Sequence, residues 1–163
     1  MSTVASLVAG ADGATTLRGT SSGISTTADR RVFIERRKTF DVIMIGGNTA
    51  RTEPYSSTPV PLVIISRSYV NPVPDNPKAH LWNLDPAQAI ERARKEFGDK
   101  ILIEAGASLM TKMLNENLID EFFLTLTPVV GGENIVDWQI FFDHFTFIEE
   151  SKLDETIFYH AFR

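Results

Sequence analysis

Ile101-Leu102-Ile103-Glu104-Ala105-Gly106-Ala107-Ser108-Leu109 is the stretch that sets the fold pattern. Three β-favouring apolar residues read as a buried strand, a small-residue turn follows, and helical spacing runs from Ala107 to Leu118. A strand that turns straight into a helix leaves the first helical N–H groups without intrahelical partners, and the macrodipole adds partial positive charge there. Such an end suits an anion. Gly106 lets a phosphate approach the backbone, and Ser108 offers one more hydrogen bond. Any α/β protein needs small residues at such a turn, so the stretch speaks to fold before it speaks to ligand.

Outward from it, the same form recurs. Asp41 to Ile45 reads as a buried strand ending at Gly46-Gly47-Asn48-Thr49 and a short helix. Pro61 to Ile65 is another, closed by Ser66-Arg67-Ser68. Thr3 to Val8 forms the first strand, broken by Gly10-Ala11-Asp12-Gly13, and residues 14–25 are polar and Gly-rich enough to predict a long loop. A helix is expected from about Thr27 to Thr39, with Ala28, Val32 and Phe40 inward and Arg30, Arg31, Arg36, Arg37 and Lys38 making it basic. Asn71 to Pro77 is a Pro-rich surface loop, and Ala79 to Leu84 a further short strand.

Asp85 as N-cap, Pro86 at the first helical position and Gly98 just past the end bracket a second helix, with Ala89, Ile90, Ala93 and Phe97 as its buried stripe. Phe122 to Val130 predicts a strand, interrupted late by Pro128. Gln139 to Ile148 and Thr156 to Phe162 alternate, predicting an antiparallel pair that closes one sheet edge. Strands alternating with helices give an α/β domain with a mostly parallel sheet, its ligand crevice at the C-terminal strand ends.

The totals narrow the function. A chain of 163 residues, 43% hydrophobic and 23% charged, suits a single globular domain spanning residues 1–163. A net charge of -5 argues against nucleic-acid binding, which draws on clustered Lys and Arg. No cysteine means no disulfide, no thiol nucleophile and no thiolate metal site. No apolar run approaches the roughly 20 residues of a membrane span, and the N-terminus lacks a signal-peptide pattern. The expectation is a cytoplasmic protein with no membrane or nucleic-acid partner.

Three apolar strands ending in phosphate-friendly turns on one sheet edge suggest a nucleotide with several phosphates. Ser66-Arg67-Ser68 is suited to a 2′-phosphate, since hydroxyls plus a guanidinium match that dianion. Neither G-x-G-x-x-G nor G-x-x-x-x-G-K-[ST] occurs. His80, His144 and His160 lack metal spacing, so no metal site is expected. Glu104, a carboxylate at the end of a buried strand beside the crevice, is a candidate to touch substrate.

Asp12-Gly13 after the first strand, the run from Asp41-Val-Ile-Met-Ile-Gly-Gly-Asn-Thr to Glu53-Pro54, Ile101 to Leu109 and Leu118 to Gly132 together resemble a known family. It is the reductase domain of the bifunctional riboflavin-biosynthesis deaminase–reductase. The resemblance implies a dihydrofolate-reductase-like three-layer fold, NADPH as cofactor and a homodimer. It also implies reduction of the ribosyl group of a phosphoribosylamino-pyrimidine, a phosphorylated small molecule, to a ribityl chain. By position it puts Thr49, Glu53 and Ser66 beside NADPH and Gly106, Ala107, Ser108 and Leu109 on the pyrophosphate, and the turn residues Gly47 and Arg67 join them as cofactor-binding candidates. Ser21, Arg37 and Glu104 fall on the substrate side, and Glu104 and Glu53 become the candidate catalytic pair. The chain departs from the family pattern at Tyr55-Ser56-Ser57-Thr58, where a phosphate-gripping arginine is usual, and Arg51 is the candidate substitute.

Two other readings compete. A dihydrofolate or pterin reductase on the same fold wants an acid on the first helix, which only Asp29 or Glu35 supplies. A nucleotide-binding protein without catalysis is the third.

Overall fold

Residues 1–163 are described by a computed structural model. The chain order is β1 (Ser2–Gly10), β2 (Ala14–Thr16), α1 (Thr27–Arg37), β3 (Val42–Gly46), α2 (Gly47–Thr52), β4 (Leu62–Ile65), β5 (Ala79–Trp82) and α3 (Pro86–Glu96). Then follow β6 (Lys100–Ile103), α4 (Ala107–Asn115), β7 (Glu121–Thr127), β8 (Glu133–Ile135), α5 (Gln139–Phe142), β9 (Phe147–Leu153) and β10 (Thr156–Phe162).

The main sheet has eight strands in the order β5-β4-β3-β6-β1-β7-β10-β9. The strands from β5 to β7 run parallel, while β10 and β9 are antiparallel additions at one edge. The expected mostly parallel sheet with an antiparallel C-terminal pair is therefore present. Alternation along the central strands builds two cores. Val42, Met44, Val63, Ile101 and Ile103 face α3 and α4 in the larger cluster. Ile43, Ile45, Leu62, Ile64 and Leu102 face the opposite way, towards Ala50 of α2. Successive side chains of a strand leave on opposite faces, so near-continuous Ile/Val/Leu runs are what a sheet covered on both sides demands. Layers of helices on both faces of one sheet result.

Helix α3 carries the signals read from its sequence. Asp85 accepts from the Gln88 N–H at 2.9 Å, Gln88 returns a bond to the Asp85 N–H, and Gly98 takes a left-handed φ of 136° after the last turn.

Three expectations need correction. Residues 14–25 are not a bare loop, because Ala14–Thr16 pairs antiparallel with Glu133–Ile135 in a separate two-stranded ribbon. The inward face of α1 is not set by Ala28 and Val32, which are half-buried; its one buried residue is Asp29. The final hairpin is Phe147–Leu153 with Thr156–Phe162, and Gln139–Phe142 is a helical turn. Trp138, Phe141, Phe142 and Phe145 recur at i, i+3, i+4 and i+7, a helical period, and all pack around the large core. Phe141 meets Phe122 edge-on at 5.8 Å, and Phe145 stacks on it at 6.2 Å. No helix is long and apolar enough to cross a membrane.

Asp85→Ala removes the side-chain half of the capping box and leaves the Gln88 N–H without its acceptor. It should lower stability by about 1 kcal/mol and the unfolding midpoint by roughly 2–4 °C, measured by thermal unfolding, with ligand binding unchanged.

Candidate active site

A cleft of about 1280 Å³ opens at the C-terminal ends of the parallel strands. Its floor is made where β1, β3 and β6 end, its sides come from α1 and from the N-terminus of α4, and its roof is the β2–β8 ribbon.

On one side, Gly106 caps α4 with no side chain to satisfy the helix end. The first intrahelical bond there is Met110 N–H to the Gly106 carbonyl at 3.0 Å, so the preceding N–H groups of Ala107, Ser108 and Leu109 lie before the ladder begins. A side chain added at Gly106 would have only Thr49 Oγ1 within 4 Å, at 3.9 Å. With φ of −69° the backbone does not demand glycine either. Gly47 differs, because a Cβ there would sit 2.9 Å from Ser66 Oγ. Gly47, Thr49, Glu53 and Arg67 line the cleft with this helix end. Ser66 does not; it lies behind Gly47, and its hydroxyl accepts from the Ser68 N–H at 3.1 Å.

On the other side, α1 presents Asp29, Arg30, Phe33 and Arg37 at helical spacing. The Arg37 Nε and Nη2 groups donate to Glu104 Oε1 and Oε2 at 2.8 and 2.7 Å. Arg37 also lies 4.2 Å over the Phe33 ring. Tyr55 Oη donates to Glu104 Oε2 at 2.6 Å. Burial alone would pull the Arg37 pKa down, but the bonds and charge of Glu104 outweigh it and hold it above its ordinary value. Burial, helped by the Glu104 charge, pushes the Tyr55 phenol well above its usual range. Both groups therefore stay protonated as donors to Glu104. Asp29 is 8% exposed, and one carboxylate oxygen accepts from Ser25 Oγ at 2.6 Å.

The predicted residues are largely brought together. Ser21, Arg37, Gly47, Thr49, Glu53, Arg67, Glu104, Gly106, Ala107, Ser108 and Leu109 all line the one cleft. Glu53 is turned to the loop, accepting from Ser21 N–H at 2.7 Å and Ser21 Oγ at 3.1 Å. Arg51 lies outside the lining, bonded to Asn48 Oδ1 one helical turn back. Asp29 lines the cleft as the acid the pterin reading asks for, while Phe33, Tyr55 and the roof residues Thr15, Thr16, Ile135 and Val136 carry no site role in the sequence reading. Only the α1 residues carried a signal, their i, i+4, i+8 spacing with Arg37. Among the three histidines, His160 bonds Glu121 at 2.7 Å outside the cleft lining, and no cluster of metal-ligating side chains exists.

The model of the RibD C-terminal domain matches residues 3–159. The chain belongs to the RibD C-terminal domain family. No protein with a curated description matches the sequence. Among solved structures, this RibD-type domain is similar to a pyrimidine reductase-like protein from Corynebacterium diphtheriae, with TM-score 0.77 and 20% identity over 99% of this chain and 91% of that one. It is also similar to the deaminase/5-amino-6-(5-phosphoribosylamino)uracil reductase of Thermotoga maritima, with TM-score 0.72 and 12% identity over 99% and 56%. Acinetobacter baumannii RibD gives TM-score 0.69 and 17% identity over 99% and 57%. The chain thus spans just over half the length of those two proteins, and at these identities what is shared is the fold.

The roof is held by carboxylates. Asp12 accepts from the Gly131 and Ala14 N–H groups at 2.8 and 3.1 Å. Glu133 accepts from Thr16 Oγ1, Arg18 N–H and Gly19 N–H. These donors favour the charged forms, holding both groups below their ordinary carboxylate values, chiefly through Gly131 for Asp12 and Thr16 for Glu133. A depressed folded-state pKa contributes stability that is present above the unfolded value and lost as pH falls through the folded one. Hydrogen-exchange protection in residues 12–20 and 131–136 should therefore fall below about pH 4 before protection of the central strands does.

Proposed function

We propose that the chain is an NADPH-dependent reductase of the riboflavin pathway, acting as a homodimer in the cytoplasm. Its substrate is a phosphoribosylamino-pyrimidine of the 5-amino-6-(5-phosphoribosylamino)uracil type, the compound named for the Thermotoga maritima relative. The observation that carries the reading is Gly106: the space its missing side chain leaves open lies at the uncapped start of α4, inside the cleft. A dinucleotide pyrophosphate fits that description, with the N–H groups of Ala107, Ser108 and Leu109 and the Ser108 hydroxyl as donors. Arg67 is exposed on the same wall with no partner side chain, available to a 2′-phosphate.

When bound, the cofactor supplies a hydride to the ribosyl carbon that becomes part of the ribityl chain. The residues of the chain bind and orient. Arg37 and Arg30 on α1 give the opposite wall positive charge suited to the substrate phosphate, and the β2–β8 roof limits water. Glu104, with both oxygens engaged, holds Arg37 in place.

One observation favours the pterin reading. Asp29 is a buried acid on the first helix that lines the cleft, with an oxygen left for a ring N–H. Glu35 is excluded, being exposed and paired with Lys38. The two arginines beside Asp29 favour the phosphorylated substrate.

A fluorescence titration with NADPH and NADH, followed by NADPH oxidation with the phosphoribosylamino-pyrimidine and with dihydrofolate, tests these readings. Selective NADPH binding and turnover of the pyrimidine are expected; turnover of dihydrofolate alone would replace the proposal with the pterin reading. Arg67→Ala should weaken NADPH binding about tenfold or more, the size of one lost charge-assisted bond, and leave NADH binding unchanged. Gly106→Asp should abolish binding of both while the protein remains folded by circular dichroism, since the Cβ clashes with nothing in the chain itself.

A further inference from the structure

Tyr55 has no part in the reading above beyond its contact with Glu104. Its side chain enters from the segment after α2 and is 5% exposed. Its backbone is anchored independently, because its carbonyl accepts from Asn76 Nδ2 at 2.9 Å, and Asn76 is itself 3% exposed and also bonds Thr58 Oγ1. The phenol oxygen therefore has a fixed address.

Arg37 uses two of its five N–H groups on Glu104, which leaves three as donors on a side chain that lines the cleft. Where those three point depends on how the carboxylate is turned. The Phe33 and Tyr55 rings, with centroids 4.2 and 5.2 Å from the Arg37 Cζ, flank the guanidinium without donating or accepting a bond that sets its direction. In-plane sliding is resisted by the Glu104 fork, and only Tyr55 fixes one oxygen of that fork from outside the pair.

We propose that Tyr55 is a positioning residue: by pinning Glu104 Oε2 it sets the direction in which Arg37 offers its free N–H groups to the anionic part of the substrate. This rests on the reading of the cleft as a substrate site. Tyr55 bonds Glu104, its ring lies 5.2 Å from the Arg37 Cζ, and it acts on substrate through Arg37.

The test combines nitrogen-15 NMR of the Arg37 side chain with kinetics of Tyr55→Phe, Arg37→Ala and the double variant. Tyr55→Phe removes one oxygen atom, and circular dichroism checks its fold. In Tyr55→Phe the Arg37 Nε–H should exchange with solvent faster than in the wild type. KM for the phosphoribosylamino-pyrimidine should rise about tenfold, the size of one lost hydrogen bond to a charged group, with kcat and KM for NADPH unchanged. In the Arg37→Ala background the same substitution should add almost nothing, because the two act in series. An Arg37 Nε–H signal unchanged in the folded Tyr55→Phe protein would overturn the proposal, as would an equal kinetic loss in both backgrounds. Should the wild type turn over no pyrimidine, the functional reading fails on its own, and the Arg37 signal still decides the role of Tyr55.

Discussion

A carboxylate placed at the end of the central strand of a covered sheet constrains everything around it. Glu104 follows β6, is 6% exposed, and left alone would cost several kcal/mol in lost hydration. The chain answers with Arg37 from α1 and Tyr55 from the segment after α2, so one buried charge ties three separate stretches together across the mouth of the cleft. That pairing fixes the approach of α1, which otherwise presents little apolar surface to the sheet: its remaining contacts include Arg36 bonding Ser6 Oγ and lying 4.0 Å over Phe123. A helix docked by guanidinium groups brings its positive charge to the cleft as a consequence of how it is held.

The parallel sheet and its turns were legible because their signals are local. Apolar runs such as Val42–Ile45 and Ile101–Ile103 admit one placement in a covered sheet, and the Asp85-Pro86 start of α3 is spelled out in adjacent residues. What escaped depends on distant partners. Ala14–Thr16 is a strand only because Glu133–Ile135 lies beside it, and no short polar triplet announces such a mate. The Gln139–Ile148 segment failed differently: its aromatics fit alternation superficially, but the i, i+3, i+4, i+7 spacing of Trp138, Phe141, Phe142 and Phe145 was the truer period. Tyr55 gave no sign of a site role, and Asp29 only that of an acid on the first helix, because burial of a polar side chain is decided by tertiary packing, not by its neighbours in sequence.

The cleft joins two kinds of structure. Its floor is hydrogen-bonded sheet, closed on both faces by apolar clusters. Its roof is a short ribbon on which Glu133, Asn134 and Ile135 are exposed, held through Asp12, Glu133 and the Glu53–Ser21 contacts. Carboxylate-to-amide bonds at the surface are weaker ties than buried strands, so the roof is held less firmly than the floor.

Two glycines on one wall show how a structural requirement is separated from a functional one. Gly47 is explained by its neighbours: a Cβ would sit 2.9 Å from Ser66 Oγ and 3.2 Å from Ser66 Cβ, so a larger residue there would have to displace the Ser66 side chain. Gly106 has no such explanation. Its φ is ordinary and the nearest atom to an added Cβ is 3.9 Å away, so packing leaves the position open, while as the N-cap of α4 glycine serves better than alanine. Packing thus fixes Gly47, whereas Gly106 leaves an open space beside the helix end. At the bare N-terminus of α4, facing a basic wall, what fits that place is an anion drawn close against the backbone.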